Sequence, residues 1–145
     1  MSARHTGPVL AAVLLLAACG AARTGTSDSV TREGNAFILA GADLVESRGS
    51  LLSTMQGRIP NLRLRRQSGE CPEISLRSHS SALSPVNPHV YVDGTRTADT
   101  CILESLRGED VERVEVYPQG VTNRPGYATH AHGLILVFMR GGRTP

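Results

Sequence analysis

The chain has 145 residues, enough for one domain with one modest core. Fifteen basic residues, every one an arginine, stand against thirteen acidic ones, and a net charge of +2 leaves no electrostatic footprint for nucleic acid. Three tyrosines, two phenylalanines and no tryptophan are too few rings to stack the bases of a single strand.

The first residues read as an address, not as fold. Arg4 and His5 make a positive tip, Val9 to Leu16 is an apolar run, and Leu16-Ala17-Ala18-Cys19 follows. The run is shorter than the roughly 20 residues that span a bilayer. Leu-Ala-Ala-Cys resembles the lipobox of bacterial lipoproteins, which implies a signal peptide over residues 1–18 and acylation of Cys19. Each buried methylene of such a lipid contributes roughly 0.8 kcal/mol, so two or more chains anchor stably. An ordinary cleaved signal is the alternative, since Gly20-Ala21-Ala22 also offers small residues. Gly20 after the cysteine, with no aspartate, is compatible with sorting to the outer membrane, facing the periplasm. Residues 19–33 carry little that could be buried, with Val30 the only larger apolar residue before Glu33, and read as a flexible tether.

The folded part is expected over residues 34–142, with a tail at 143–145. Ala36-Phe37-Ile38-Leu39 predicts a first strand, and Gly41 to Ser47 a turn or short helix. Ser50 caps a clearer helix in which Leu51, Leu52, Met55 and Ile59 share a face, stopped by Gly57 and Pro60. Leu62 and Leu64 alternate with Arg63 and Arg65, and Ile74 and Leu76 alternate with Ser75 and Arg77, predicting two half-buried strands around a turn at Gln67 to Glu70. Ser78 to Pro88 reads as a loop. Val90-Tyr91-Val92 is a strand ending in the turn Asp93-Gly94. Ile102, Leu103 and Leu106 predict a short helix ended by Gly108. Val111, Val114 and Val116 lead a further strand, and a long connection runs from Pro118 to His132. Leu134 to Met139, the most apolar run of the mature chain, predicts a central strand. The expectation is a small α+β domain: a mixed sheet of five or six short strands with two or three flanking helices.

In this order the motifs resemble the plug domain of TonB-dependent outer-membrane receptors. Met55 to Leu62 looks like the plug's helix and turn, Glu73 to Ser78 like its next strand, and Pro88 to Gly94 like its strand with an Asp-Gly turn. Asp110 to Val116 looks like a further strand motif of the family, and Gly133 to Val137 like its closing strand. The resemblance covers Leu52 to Gly142. The family's plug is followed by a transmembrane barrel, and the 145 residues hold no succession of long alternating strands with aromatic girdles, so transport by this chain alone is not implied. Pro125-Gly126-Tyr127 matches the family's late tyrosine-glycine motif only loosely, Ser78 stands where a glycine is expected, and no TonB box is evident.

With Cys19 acylated, Cys71 and Cys101 make an even pair, and an exported chain meets conditions in which a disulfide persists. Two buried thiols are the alternative. No cysteines are spaced as Cys-x-x-Cys, which argues against a redox thiol. His130 and His132, with His79 or His89, could offer imidazoles to zinc or copper, although exposed loop histidines are the simpler reading. Ser80, His89 and Asp93 contain the residue types of a hydrolytic triad without the nucleophile elbow. Glu109, Asp110, Glu112 and Glu115 read as solvated turn and edge charges. Arg63, Arg65 and Arg77 would make a basic face if they share one side of a sheet, with Arg58 and Arg66 nearby.

The function expected is that of a non-enzymatic, lipid-anchored interaction module of the cell envelope. Its partners would be the membrane, through the lipid, and an outer-membrane barrel or other envelope protein. No cofactor, catalytic residue or small-molecule substrate is expected. A structural or assembly lipoprotein without a transport role is the alternative, and a small metal-binding protein a more distant one.

Overall fold

The computed structural model describes residues 30–76 and 86–142. Cys19, the signal sequence, Arg77, His79, Ser80 and the 143–145 tail lie outside them. The described residues form one six-stranded sheet in the order β1-β2-β7-β8-β5-β6 and one two-stranded sheet, β3-β4. The six strands are β1 (Thr31–Glu33), β2 (Ala36–Ala40), β7 (Val111–Tyr117), β8 (Leu134–Met139), β5 (His89–Val92) and β6 (Thr95–Arg96). All neighbours run antiparallel except β5 and β8, which are parallel. The short sheet is a hairpin of β3 (Arg63–Arg65) and β4 (Glu73–Ser75).

The apolar run Leu134 to Met139 is an interior strand, flanked by β7 and β5. Its residues are buried on both faces, which explains why its sequence is continuous rather than alternating. One face presents Val114, Val116, Ile135, Val137 and Val90 to the helices. There α1 (Ala42–Val45) contributes Leu44, α2 (Leu51–Arg58) contributes Leu51, Leu52 and Met55, and α3 (Ile102–Ser105) contributes Leu103. All five of these side chains are fully buried, and each contributes on the order of 2 kcal/mol by leaving water. Ile74 and Leu76 bring the β3–β4 hairpin onto the same core. The other face carries Ile38, Tyr91, Tyr117, Leu134, Leu136 and Phe138, and Tyr127 from the β7–β8 connection packs on it.

Ser50 caps α2 as expected, its hydroxyl accepting from the Ser53 amide at 3.2 Å. The stop differs from expectation. Gly57 stays inside the helix, and the chain leaves it at Ile59, whose extended backbone (φ −80°, ψ 120°) is what the following Pro60 demands. Gly108 likewise does not end α3. It opens a 3-10 turn, Gly108–Asp110, that leads into β7. The last residues of the expected tether, Thr31–Glu33, form β1 and pair with Ala36–Ile38. All three are exposed and polar, so nothing in their hydrophobicity announces a strand. Among the described residues no helix is long and apolar enough to cross a membrane.

Candidate functional site

The parallel pairing of β5 with β8 sets His89 opposite Leu134 and brings it against the end of the β7–β8 connection. The His89 amide donates to the Gly133 carbonyl at 3.1 Å. The His89 and His130 rings stack with centroids 3.6 Å apart, and His132 lies beyond at 5.5 Å from His130. Gly120 fixes this arrangement. Its carbonyl accepts the His130 amide at 3.0 Å, its φ is +68°, and a Cβ there would sit 1.6 Å from the His130 carbonyl oxygen. Only glycine fits that crossing.

The turn at Asp93-Gly94, with φ of 45° and 81°, folds β6 back along β5. Arg96 thereby pairs with Tyr91 and lies on the same side of the sheet as His89. Its Nη2 is 2.7 Å from His89 Nε2. Arginine can only donate, so Nε2 is the acceptor and neutral His89 carries its proton on Nδ1. Among the described residues, that Nδ1 and the Nδ1 of His130 are buried without a hydrogen-bond partner. Burial, then the electrostatic influence of His130 and of the Arg96 charge, holds the His89 pKa below the ordinary imidazole value. Beside this cluster lies an open groove of about 400 Å³ whose walls include Asn87, His89, Arg96, Thr97, Asp99 and His130.

A second polar cluster sits under the β7–β8 connection. Glu115 is only 1% exposed. Arg124 donates to it from Nε at 2.7 Å and Nη2 at 2.6 Å, Arg113 from Nε at 2.6 Å, and the Tyr117 hydroxyl at 2.8 Å. Burial pushes its pKa up, but the hydrogen bonds from Arg124, Tyr117 and Arg113 and the charge on Arg124 together outweigh burial and hold it below the ordinary carboxylate value. The expectation of a solvated edge charge is therefore wrong for Glu115. It lies on an interior strand, where a charge persists only when paired and hydrogen-bonded. Arg124 also lies over the Phe138 ring, 5.1 Å from its centroid, so it ties the connection to the sheet by charge and by ring contact.

The remaining sequence candidates are distributed differently. His89 precedes β5's core and Asp93 follows its last residue, so the two stand at opposite ends of one strand, and the Asp93 carboxylate accepts the Met139 amide at 2.9 Å. The three histidines do come together, but the near-parallel stack of His89 and His130, 18° between planes, sends their lone pairs side by side rather than toward one point. Among the described residues the one group of three potential ligands within 4.8 Å is Cys71, Asp99 and Cys101, and its sulfurs are joined to each other. That disulfide has its Cα atoms 4.8 Å apart and ties the lead-in of β4 to the start of α3. Arg63 and Arg65 share the exposed face of β3, with Arg65 3.8 Å from Glu73 and Arg66 3.2 Å from Glu104. Sequence reasoning passed over Arg96 and Arg124. The Asp-Gly turn could have found Arg96, because a two-residue turn returns the next residues along the preceding strand. Arg124 has no local signal.

No protein-family model and no curated protein sequence matches the chain. Solved structures do share its fold. A chain of the RagAB peptide importer in the "closed-closed" state superposes on 77% of this chain with a TM-score of 0.57 and 17% identity. The RagAB peptide transporter gives 0.55 at 18% identity, and the importer in the "open-open" state gives 0.53 at 20%. This chain spans only 13% of the first two and 12% of the third. The likeness is one of fold: the sheet-and-helix body described above also occurs as a small part of those much longer chains, in agreement with the plug-like architecture that the sequence motifs imply.

Proposed function

We propose that this chain is a lipid-anchored, non-catalytic interaction module of the cell envelope, a plug-like domain held to the outer membrane through Cys19 and facing the periplasm. The observation that carries the reading is the fold match over 77% of the chain to part of a peptide importer, reached independently of the plug motifs in the sequence. The apolar run before Cys19 and the Cys71–Cys101 disulfide both suit an exported protein. The domain would work by docking on an outer-membrane transport protein, with its rigid sheet as the scaffold.

Two measurements test this. The mass of the mature protein under non-reducing conditions is expected to show acyl chains on Cys19, and an unacylated mass overturns the anchor. The tagged chain, recovered from detergent-solubilised outer membranes, is expected to bring with it a β-barrel transport protein. Recovery without any envelope protein overturns the docking role.

A further inference from the structure

We propose that the groove beside β6 binds a small oxyanion, a carboxylate or phosphate-like group, through Arg96, and that His89, stacked on His130, takes up a proton when it does so. Arg96 is exposed, and among the described residues no carboxylate lies within ion-pair distance of it. One of its five donors meets His89 Nε2 at 2.7 Å, and the planar fork suits two oxygens of one anion. The groove's polar side chains are engaged with backbone. The Thr100 hydroxyl donates to the Pro72 carbonyl at 2.5 Å, and the single Thr97 hydroxyl proton is shared between the Val90 and Asp99 carbonyls at 3.2 and 2.9 Å. Asn87 Oδ1 accepts the Ile74 amide at 2.7 Å, and Oδ1 of Asp99, the one acid in the wall, accepts the Cys101 amide at 2.9 Å. Arg96 therefore keeps guanidinium N–H donors that no carboxylate among the described residues takes up, and the groove beside it has room for an acceptor.

Protonation follows from the same geometry. The charged and titratable groups around His89 are Arg96 from β6 and His130 from the β7–β8 connection, with His132 beyond His130 and Asp99, from the stretch before α3, in the same groove wall. Without a ligand, a proton on His89 would set an N–H against the Arg96 N–H and a charge against His130. An oxyanion between them accepts from both and offsets the charge. His89 therefore gains a proton on binding, and affinity rises as pH falls through the imidazole range.

The test is calorimetric titration of the intact mature chain with sulfate, whose charge is constant over this range, and with a short peptide as free acid or C-terminal amide. The pH would be about 5.5 and about 8, with the histidine ring protons followed by NMR. Binding of sulfate or of the free acid is expected to be about tenfold tighter at the lower pH, with His89 and His130 resonances shifting. Preference for the free acid over the amide identifies a peptide carboxylate as the ligand. Sulfate binding alone identifies a phosphate-like group. Arg96→Gln, on an exposed edge strand, is expected to lower affinity about tenfold at both pH values, and His89→Gln to remove most of the pH dependence. Absence of any histidine shift with either probe, or unchanged affinity in Arg96→Gln, overturns the proposal.

Discussion

Glu115 is a charge inside a sheet, and its neighbours decide whether that is a strength or a liability. Two guanidiniums and one hydroxyl saturate the carboxylate, so its folded pKa lies below the ordinary glutamate value of 4.5. A depressed carboxylate stabilises the fold at pH above the unfolded value, and that contribution is lost as pH falls through the folded pKa. Glu115→Gln is therefore expected to destabilise the domain by about 2 kcal/mol near neutral pH, because it takes the anion from Arg124 and leaves Arg113 with Glu33 alone, 3.0 Å away. Urea unfolding from about pH 7 down to about pH 3 checks this, since the gap between the two proteins should close as wild-type Glu115 protonates. A gap that stays constant with pH would mean that shape, not charge, holds the β7–β8 connection. The neighbouring Tyr117 is pushed above the ordinary phenol value, first by burial and then by Glu115, so it remains a donor throughout this range.

At the level of elements, the turn between β5 and β6 joins three strands. Asp93 adopts φ of 45°, Gly94 follows at 81°, and the Asp93 carboxylate accepts the Met139 amide of β8 at 2.9 Å. Asp93→Asn keeps both the carbonyl acceptor and the tolerance of positive φ, and is expected to be nearly neutral. Asp93→Ala loses both and is expected to cost about 2 kcal/mol by thermal or chemical denaturation. Equal losses in the two variants would show that the carboxylate's charge matters more than its geometry. This turn was legible in the sequence because Asp-Gly after an apolar strand has one ready explanation. The strands β2, β5, β7 and β8 and the helix α2 were legible because each carries its apolar run or period within itself. Strand β1 was not, because Thr31, Arg32 and Glu33 bury nothing, and β6 was not, because two residues make no pattern. The histidine cluster was half legible. His130 and His132 lie two residues apart in sequence, but their meeting with His89 depends on the parallel register of β5 on β8, which no local pattern encodes.

Across the whole molecule, the two sheets are joined by side chains and by one covalent link. The β3–β4 hairpin has Ile74 and Leu76 in the common core, but among the described residues its strands form a ladder only with each other and not with the six-stranded sheet. Cys71, next to β4, is bonded to Cys101, the residue before α3, and the Thr100 hydroxyl donates to Pro72 beside it. The disulfide closes a loop with a sequence separation of 30, for which the chain-entropy model gives about 3.5 kcal/mol. That is a large share of the roughly 5–15 kcal/mol that holds a domain together. The loop it closes contains β4, β5 and β6, so reduction enlarges the freedom of the unfolded chain and also releases the hairpin in the folded one. The double change Cys71→Ser with Cys101→Ser is accordingly expected to lower stability by about 3 kcal/mol. Hydrogen exchange should separate the two effects. Amides of β3 and β4 are expected to lose protection first, while β7 and β8 keep theirs until global unfolding, because interior strands open only with the whole sheet. Uniform loss of protection across both sheets would instead mean that the hairpin and the main sheet fold as one unit and that the bond acts through the unfolded chain alone.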